Sequence, residues 1–299
     1  MTPSTKQAPP LDASNHDGVK VHRLTAFARE PTGGNPAGVV VTDVPLDDTS
    51  MLRIAAEVGY SETAFLVPQG EPGGHRYAVR YFSPEAEVSF CGHATIASGV
   101  LLGEGFGPAT YALDTGQGPV TVEVRHDGDQ AIATLTSVPP LLEDVDETLV
   151  EETLSALRWT SSALDRDFIP AIAYAGARHL ILMLASRETL ADLDYDFERM
   201  QTTMARRALT TVALAYREHT TRFHARNLFP PGGVVEDPAT GAAAAALGAY
   251  LRTFGHVTTP STVEIEQGTD MGRPSYLTVH IPTGDTGIDV SGAAVAIST

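Results

Sequence analysis

From Ala242 to Leu251 the chain carries only small and apolar residues, with no polar face until Arg252. A helix of that kind has no side to show to water and must be surrounded by protein. Its entrance is different in character: Glu236-Asp237-Pro238-Ala239-Thr240-Gly241 places two acids and a glycine before the apolar run. On this pattern Asp237 caps the helix and Pro238 takes the first helical position, where a missing N–H loses nothing. The stretch Phe90-Cys91-Gly92-His93-Ala94-Thr95, continuing to Leu102, has the same build, a polar and glycine-containing mouth followed by small and aliphatic residues.

The remaining pattern is mostly short alternating runs. Val19–Phe27 alternates as a strand, residues 32–38 form a turn rich in glycine, and Val39-Val40-Val41 resumes a strand. A helix starting at Asp48 or Thr49 runs through Met51, Leu52, Ile54, Ala55 and Val58 and stops at Gly59. Strands follow at Ser61–Val67 and Arg76–Phe82, and residues 120–124 and 131–135 form a hairpin across His126-Asp127-Gly128-Asp129. The acidic stretch 142–152 reads as a crossover entering a helix through Leu154, Leu157 and Trp159. Beyond it, strands are expected at 169–174, 179–184, 211–215, 220–225, 262–266, 276–281 and 288–297, with a short acidic turn at 189–195 and a helix at 197–208.

The two halves repeat. In each, a strand (residues 77–82; 221–226) leads into a small-residue helix, and the helix leads to a glycine turn and a strand. Short strands wrapping one buried helix per half predict an α+β protein of two similar units with a cleft between them, the two helix mouths facing across it. The expected organisation is a disordered leader at 1–18, poor in aliphatic residues, an N-terminal domain of 19–136 plus 286–299, and a C-terminal domain of 137–285.

Length and composition narrow the partners. A chain of 299 residues holds two ordinary domains. The formal net charge of −17 argues against nucleic acid and anionic membrane as partners, so an anionic substrate needs a local positive potential. Two opposed helix N-termini supply one from backbone N–H groups, with Gly92 and Gly241 letting a carboxylate approach closely. With Cys91 the sole cysteine, an intrachain disulfide and a two-cysteine racemase mechanism are both excluded. No secretory leader and no membrane-spanning run are evident, so a cytoplasmic protein is expected.

Three acid–base candidates stand at segment ends. Glu62, between Ser61 and Thr63, is either a solvated strand residue or, if partly buried, a proton-transferring base. His93 is either a cap-region side chain or a hydrogen-bonding guide beside the positive end of a helix. Asp237 is either the cap described above or an acid facing the cleft. Cys91 is either a reactive thiolate or a small buried hydrophobe. The glycine loop 33–38 lacks both the Walker lysine and the dinucleotide spacing, and the 10 histidines are scattered without a compact ligand cluster, so neither metal nor cofactor is expected.

The motifs Gly34-Asn35-Pro36-Ala37-Gly38, Ser61-Glu62-Thr63-Ala64-Phe65, Tyr81-Phe82-Ser83-Pro84, Cys91-Gly92-His93-Ala94-Thr95, Glu236-Asp237-Pro238-Ala239-Thr240-Gly241 and Gln267-Gly268 with Gly272-Arg273-Pro274-Ser275 occur in this order from about Val21 to the C-terminus. Together they resemble the PhzF-like phenazine-biosynthesis family of the diaminopimelate epimerase superfamily. The resemblance implies two pseudo-symmetric domains, each a curled, barrel-like β-sheet around a central helix, and commonly a homodimer. It also implies a cofactor-free isomerase, as in the isomerisation of trans-2,3-dihydro-3-hydroxyanthranilate. There the position of Glu62 shuttles the proton, those of His93 and Asp237 assist, and Gly92 and Gly241 hold the substrate carboxylate. Asn35, Ser61 and Ala242 complete the expected substrate contacts by their places in the motifs. Ala242 is a departure, because the phenazine enzymes carry a serine there. The reading is therefore an isomerase of a small cyclic or unsaturated carboxylic acid. Two others stand beside it: a secondary-metabolite cyclase or tailoring enzyme on the same scaffold, and a non-catalytic small-molecule binder.

Overall fold

The computed structural model describes residues 13–16, 18–71 and 73–298. They fall into two units, Met1–Leu135 with Ser291–Thr299 and Thr136–Val290.

The first unit contains strands β1 (Ala13–His16), β2 (Val19–Ala26), β3 (Asn35–Val41), β4 (Glu62–Pro68), β5 (Arg76–Phe82), β6 (Glu87–Val88), β7 (Ala109–Thr115), β8 (Gly118–Asp127) and β9 (Gln130–Thr136), with helices α1 (Asp48–Val58) and α2 (Gly92–Phe106). The second contains β10 (Leu141–Asp144), α3 (Glu147–Ala156), β11 (Ala171–Tyr174), β12 (Arg178–Met183), α4 (Arg187–Ala191), α5 (Phe197–Arg206), β13 (Thr211–His219), β14 (Arg222–Leu228), β15 (Glu236–Asp237), α6 (Gly241–Thr253), β16 (Ser261–Gln267) and β17 (Ser275–Ile281). The last strand, β18 (Asp289–Ala296), pairs with β9 and, through its C-terminal part, with β2.

In the first unit β2, β3, β4, β5, β7, β8, β9 and β18 pair in succession, and β18 returns to β2 to close a barrel of 8 strands. The β3/β4 and β5/β7 pairs are parallel. Helix α2 connects β5 to β7 and is buried from His93 to Gly103. The bore explains its small residues. A Cβ on Gly99 would stand 2.6 Å from Val122 Cγ1 of β8, and one on Gly103 would run into Val124 Cγ1. The helix hides its own hydroxyls: Thr95 Oγ1 donates to the Cys91 carbonyl at 2.6 Å and Ser98 Oγ to the Ala94 carbonyl at 2.7 Å. Outside the barrel, α1 lays Met51, Ile54, Ala55 and Val58 on Val21, Val40, Phe65 and Phe82. Its ends are as the sequence predicts in kind, with Asp47 accepting from the Ser50 N–H at 2.9 Å and Gly59 left-handed at φ 73°.

The second unit repeats the plan. Its strands pair in the order β10, β11, β12, β13, β14, β16, β17, with β12/β13 and β14/β16 parallel. Helix α6 connects β14 to β16, as α2 connects β5 to β7, and packs on β10, β11, β12 and β17. Gly248 serves the same purpose as Gly99, since a Cβ there would lie 2.9 Å from Val279 Cγ1. Helices α3 and α5 cover the outer face through Leu149, Leu157, Met200 and Met204 against Leu180, Leu182 and Leu214.

Several expectations need correction. Residues 13–16 of the expected disordered leader form β1, paired with residues 19–22 of β2; residues 1–12 and 17 lie outside the described residues. Strand β3 begins at Asn35, not at Val39, and so includes Pro36 and Gly38. Gly38 fits there because Thr63 of β4 sits where its side chain would be, its Oγ1 2.6 Å from a built Cβ. Strands β7 and β10 escaped the pattern: β7 buries only Tyr111 and Leu113, and β10 is acidic and largely exposed. Residues 286–290 belong to the second unit, because Ser137 and Ile288 exchange bonds at 2.9 and 3.0 Å and Ile288 packs on Gly248. No helix among the described residues is long and apolar enough to cross a membrane.

Candidate active site

In the first unit the chemistry gathers at one end of the barrel. The parallel register pairs Ala37 with Glu62, so β3 and β4 both start at that end, with Asn35 and Glu62 at their first positions. Gly59 ends α1 and turns the chain into β4 three residues later. Helix α2 opens at the same place, because His93 Nε2 lies 3.5 Å from Glu62 Oε2. Ser61 Oγ is 3.4 Å from His93 Nε2. Cys91 Sγ stands 3.5 Å from Glu62 Oε2 and 3.3 Å from His93 Nδ1. Glu62 keeps 20% of its side chain exposed, whereas His93 is buried at 8%. A carboxylate in that position is reachable by a ligand yet held by fixed neighbours, which suits proton transfer better than a freely solvated strand residue would. Asn35 is buried at the head of β3.

Gly92 is the first residue of α2. A Cβ built on it meets nothing within 4 Å. Neither packing nor a left-handed backbone therefore demands glycine there, at an end where a helix leaves its first N–H groups without partners of its own.

Two sequence expectations change at this mouth. Cys91 is buried, but it touches a carboxylate and an imidazole and is not merely a small hydrophobe. The histidines were expected to form no compact cluster with cysteine or carboxylates. Instead, Glu62, Cys91 and His93 present ligand atoms all within 4.8 Å of one another. Spacing along the chain hid this, since Glu62 comes from a different strand 29 residues before Cys91.

In the second unit Asp237 is not the helix cap. Proline disfavours helical geometry in the residue before it, and Asp237 accordingly sits in β15, paired with Asn227. Helix α6 starts at Gly241 with Thr240 at the cap position and no side-chain cap bond. Asp237 accepts a hydrogen bond at Oδ2 from Thr240 Oγ1 at 2.5 Å. Ala242, second in the helix, is half-buried and offers no hydroxyl.

Gln267 holds this mouth together. Its Nε2 donates to the Asp237 carbonyl at 2.7 Å and to Thr240 Oγ1 at 3.2 Å. Its Oε1 accepts from Asn227 Nδ2 at 3.0 Å and from the Thr240 N–H at 3.3 Å. The chain of bonds continues inward: Thr211 Oγ1 donates to Asn227 Oδ1 at 3.2 Å, and His179 Nδ1 lies 2.7 Å from Thr211 Oγ1. Thr211 has given its only proton to Asn227, so His179 must donate from Nδ1. Burial pushes the His179 pKa down to about 3, which makes the ring neutral and leaves Nε2 a bare buried acceptor. The sequence carried a signal for these residues. Val263, Ile265 and Gln267 share one inward phase of β16, as Phe223, Ala225 and Asn227 do in β14. A polar residue on an inward phase needs a partner.

Glu236 is accounted for by Arg226. The guanidinium donates to its carboxylate at 2.5 and 2.9 Å, and to the Leu190 and Ala191 carbonyls at the end of α4.

A model of the phenazine biosynthesis-like protein family matches residues 24–299. A trans-2,3-dihydro-3-hydroxyanthranilate isomerase of Pseudomonas chlororaphis is 32% identical over 255 residues, covering 85% of this chain and 87% of the relative. An uncharacterized isomerase of Mesorhizobium japonicum is 32% identical over 268 residues, covering 85% and 88%. Among solved structures, a PhzF-family phenazine biosynthesis protein of Bacillus anthracis superposes with a TM-score of 0.84 at 22% identity, covering 94% of this chain and 97% of that one. A probable proline racemase of Agrobacterium radiobacter shares the fold at a TM-score of 0.62 and 13% identity, covering 94% and 91%.

Proposed function

The chain belongs to the phenazine biosynthesis-like family and is an isomerase of it; from that premise we propose that it moves a proton between two carbons of a small unsaturated or cyclic carboxylic acid, with Glu62 as the shuttle. The observation that carries the reading is the mouth of α2. There a largely buried but still reachable carboxylate meets the His93 ring at 3.5 Å, beside a helix N-terminus where a Cβ on Gly92 would meet nothing within 4 Å.

In this mechanism the substrate carboxylate binds the N–H groups at the start of α2, where the helix end favours a negative charge. Glu62 takes a proton from a carbon whose anion is delocalised through the adjoining double bonds. The protonated Glu62 then returns the same proton to a second carbon, so no atom or electron is gained or lost. His93, held by its contacts to Ser61 and Cys91, donates a hydrogen bond where negative charge develops. Asn35 contacts the substrate from the head of β3. In the second unit Asp237, fixed by Thr240, stands at the mouth of α6, where the N–H groups at Gly241 and Ala242 offer an anion site of their own. Ala242 has no hydroxyl to offer, so the reading is not confined to the compound named for the Pseudomonas relative.

The test is incubation with a panel of unsaturated cyclic carboxylic acids, including trans-2,3-dihydro-3-hydroxyanthranilate, in deuterated water. The expected outcome is an isomer of unchanged mass composition, carrying solvent deuterium only where the shuttled proton exchanged. A ring-closed product would establish the cyclase instead. Tight binding of several acids without any chemical change would establish a binder.

A further inference from the structure

We propose that Glu62, Cys91 and His93 form a binding site for a single Zn²⁺ ion. Three atoms are arranged for it. Glu62 Oε2 and Cys91 Sγ are 3.5 Å apart, Glu62 Oε2 and His93 Nε2 are 3.5 Å apart, and Cys91 Sγ and His93 Nε2 are 3.8 Å apart. Zinc bonds of about 2.3 Å to sulfur and about 2.0–2.2 Å to nitrogen and oxygen, set at the tetrahedral angle, put ligand atoms roughly 3.3–3.6 Å apart. The observed triangle fits a tetrahedral ion with small side-chain adjustments.

The ligand chemistry selects the metal. Thiolate and imidazole together favour zinc and disfavour magnesium and calcium, which want oxygen and more of it. The thiol proton leaves to solvent as the Zn–S bond forms. Three protein ligands leave a fourth position for water or a carboxylate. Ligand positions are fixed in advance: Cys91 precedes the first turn of a buried helix, His93 lies within it, and Glu62 starts a barrel strand. That preorganisation lowers the ordering cost of binding.

Zinc and proton shuttling compete for the same oxygen. An ion on Glu62 Oε2 occupies the lone pair that would take the substrate proton, so zinc inhibits isomerisation. This consequence rests on the proposed role of Glu62; the metal site itself does not.

The sole cysteine gives a direct readout. The chelator-treated protein is titrated with zinc chloride while the rate of Cys91 modification by a chromogenic disulfide reagent is followed. One equivalent of zinc per chain should suppress labelling, and millimolar magnesium should not. Cobalt(II) should give a thiolate-to-metal charge-transfer band in the near ultraviolet that vanishes in Cys91→Ala. In competition with a chromogenic zinc chelator, Cys91→Ala should lower zinc affinity at least tenfold, since even residues that only orient a ligand contribute about 10–100-fold. A His219→Gln/His224→Gln variant, which removes the histidine pair beside Glu218, should bind as the wild type does. Unchanged thiol reactivity at one equivalent, or zinc binding lost with that pair and retained in Cys91→Ala, would overturn the site. Protection of Cys91 without inhibition would leave the site standing and count against Glu62 as the shuttle.

Discussion

Arg226 and Glu236 form a buried pair, with 9% and 6% of their side chains exposed. Such a pair adds little over an apolar pair of the same shape, but stripping one partner leaves a charge stranded. Arg226→Met should therefore destabilise the protein by about 3–5 kcal/mol. The double change Arg226→Met/Glu236→Leu should recover most of that loss in chemical denaturation. Equal stability of the single and double variants would show that the pair is not held as described. In the sequence Glu236 looked like half of an acidic mouth. Its partner lies ten residues upstream on β14, a distance at which no pattern couples them. The positions of Glu62, His93 and Asp237 at segment ends were legible. The contact of Cys91 with two of the site residues was not, because it depends on how β4 meets α2.

At the scale of elements, α2 tests what the small residues are for. Gly→Ala inside a solvated helix gains about 1 kcal/mol of intrinsic propensity. Within the barrel the added methyl meets Val122 or Val124, and overpacking costs about 1–3 kcal/mol. Packing should win, so Gly99→Ala and Gly103→Ala should each lower the denaturation midpoint. Gly92→Ala meets nothing within 4 Å. It should leave the midpoint unchanged or slightly raised while slowing turnover, because the methyl covers the helix mouth. A stability loss in Gly92→Ala as large as in Gly103→Ala would refute this division of roles. Burial of both helices was readable from their lack of a polar face. The start of α6 was not, because Pro238 fits equally well at a first helical position or after an extended residue. The structure takes the second course and frees Asp237 from capping.

For the whole molecule, the repeated order strand, buried helix, glycine turn, strand already points to two similar units, each around one helix. It does not show β1, β7 and β10, which are held by pairing with their neighbours and are not marked by a buried alternation. His179, deep in the second unit, controls how the fold meets acid. Its pKa is about 3 in the folded chain and about 6.5 when unfolded. The unfolded chain therefore binds the extra proton between those values. The stabilisation is complete above about pH 6.5 and is lost as the pH falls toward 3, at about 1.4 kcal/mol per pH unit once the unfolded ring is protonated. His256, lowered first by burial and then by nearby Arg217, acts in the same direction. Exposed carboxylates such as Asp47, held below the usual range by its bonds to Ser50, take up protons only in more acid solution than these histidines do on unfolding. Between pH 6.5 and 5 the thermal midpoint should thus fall with acid, and His179→Gln should flatten that slope. An unchanged slope would mean that His179 is not held neutral.

The proposed proton shuttle rests on one side chain, and the most direct measurement is the turnover of Glu62→Gln on the acid that the wild-type protein isomerises. The amide keeps the shape and much of the hydrogen bonding but cannot take and return a proton. Turnover should be abolished, with the thermal midpoint and affinity for the carboxylic acid close to wild type. Undiminished turnover in that variant would contradict the assignment.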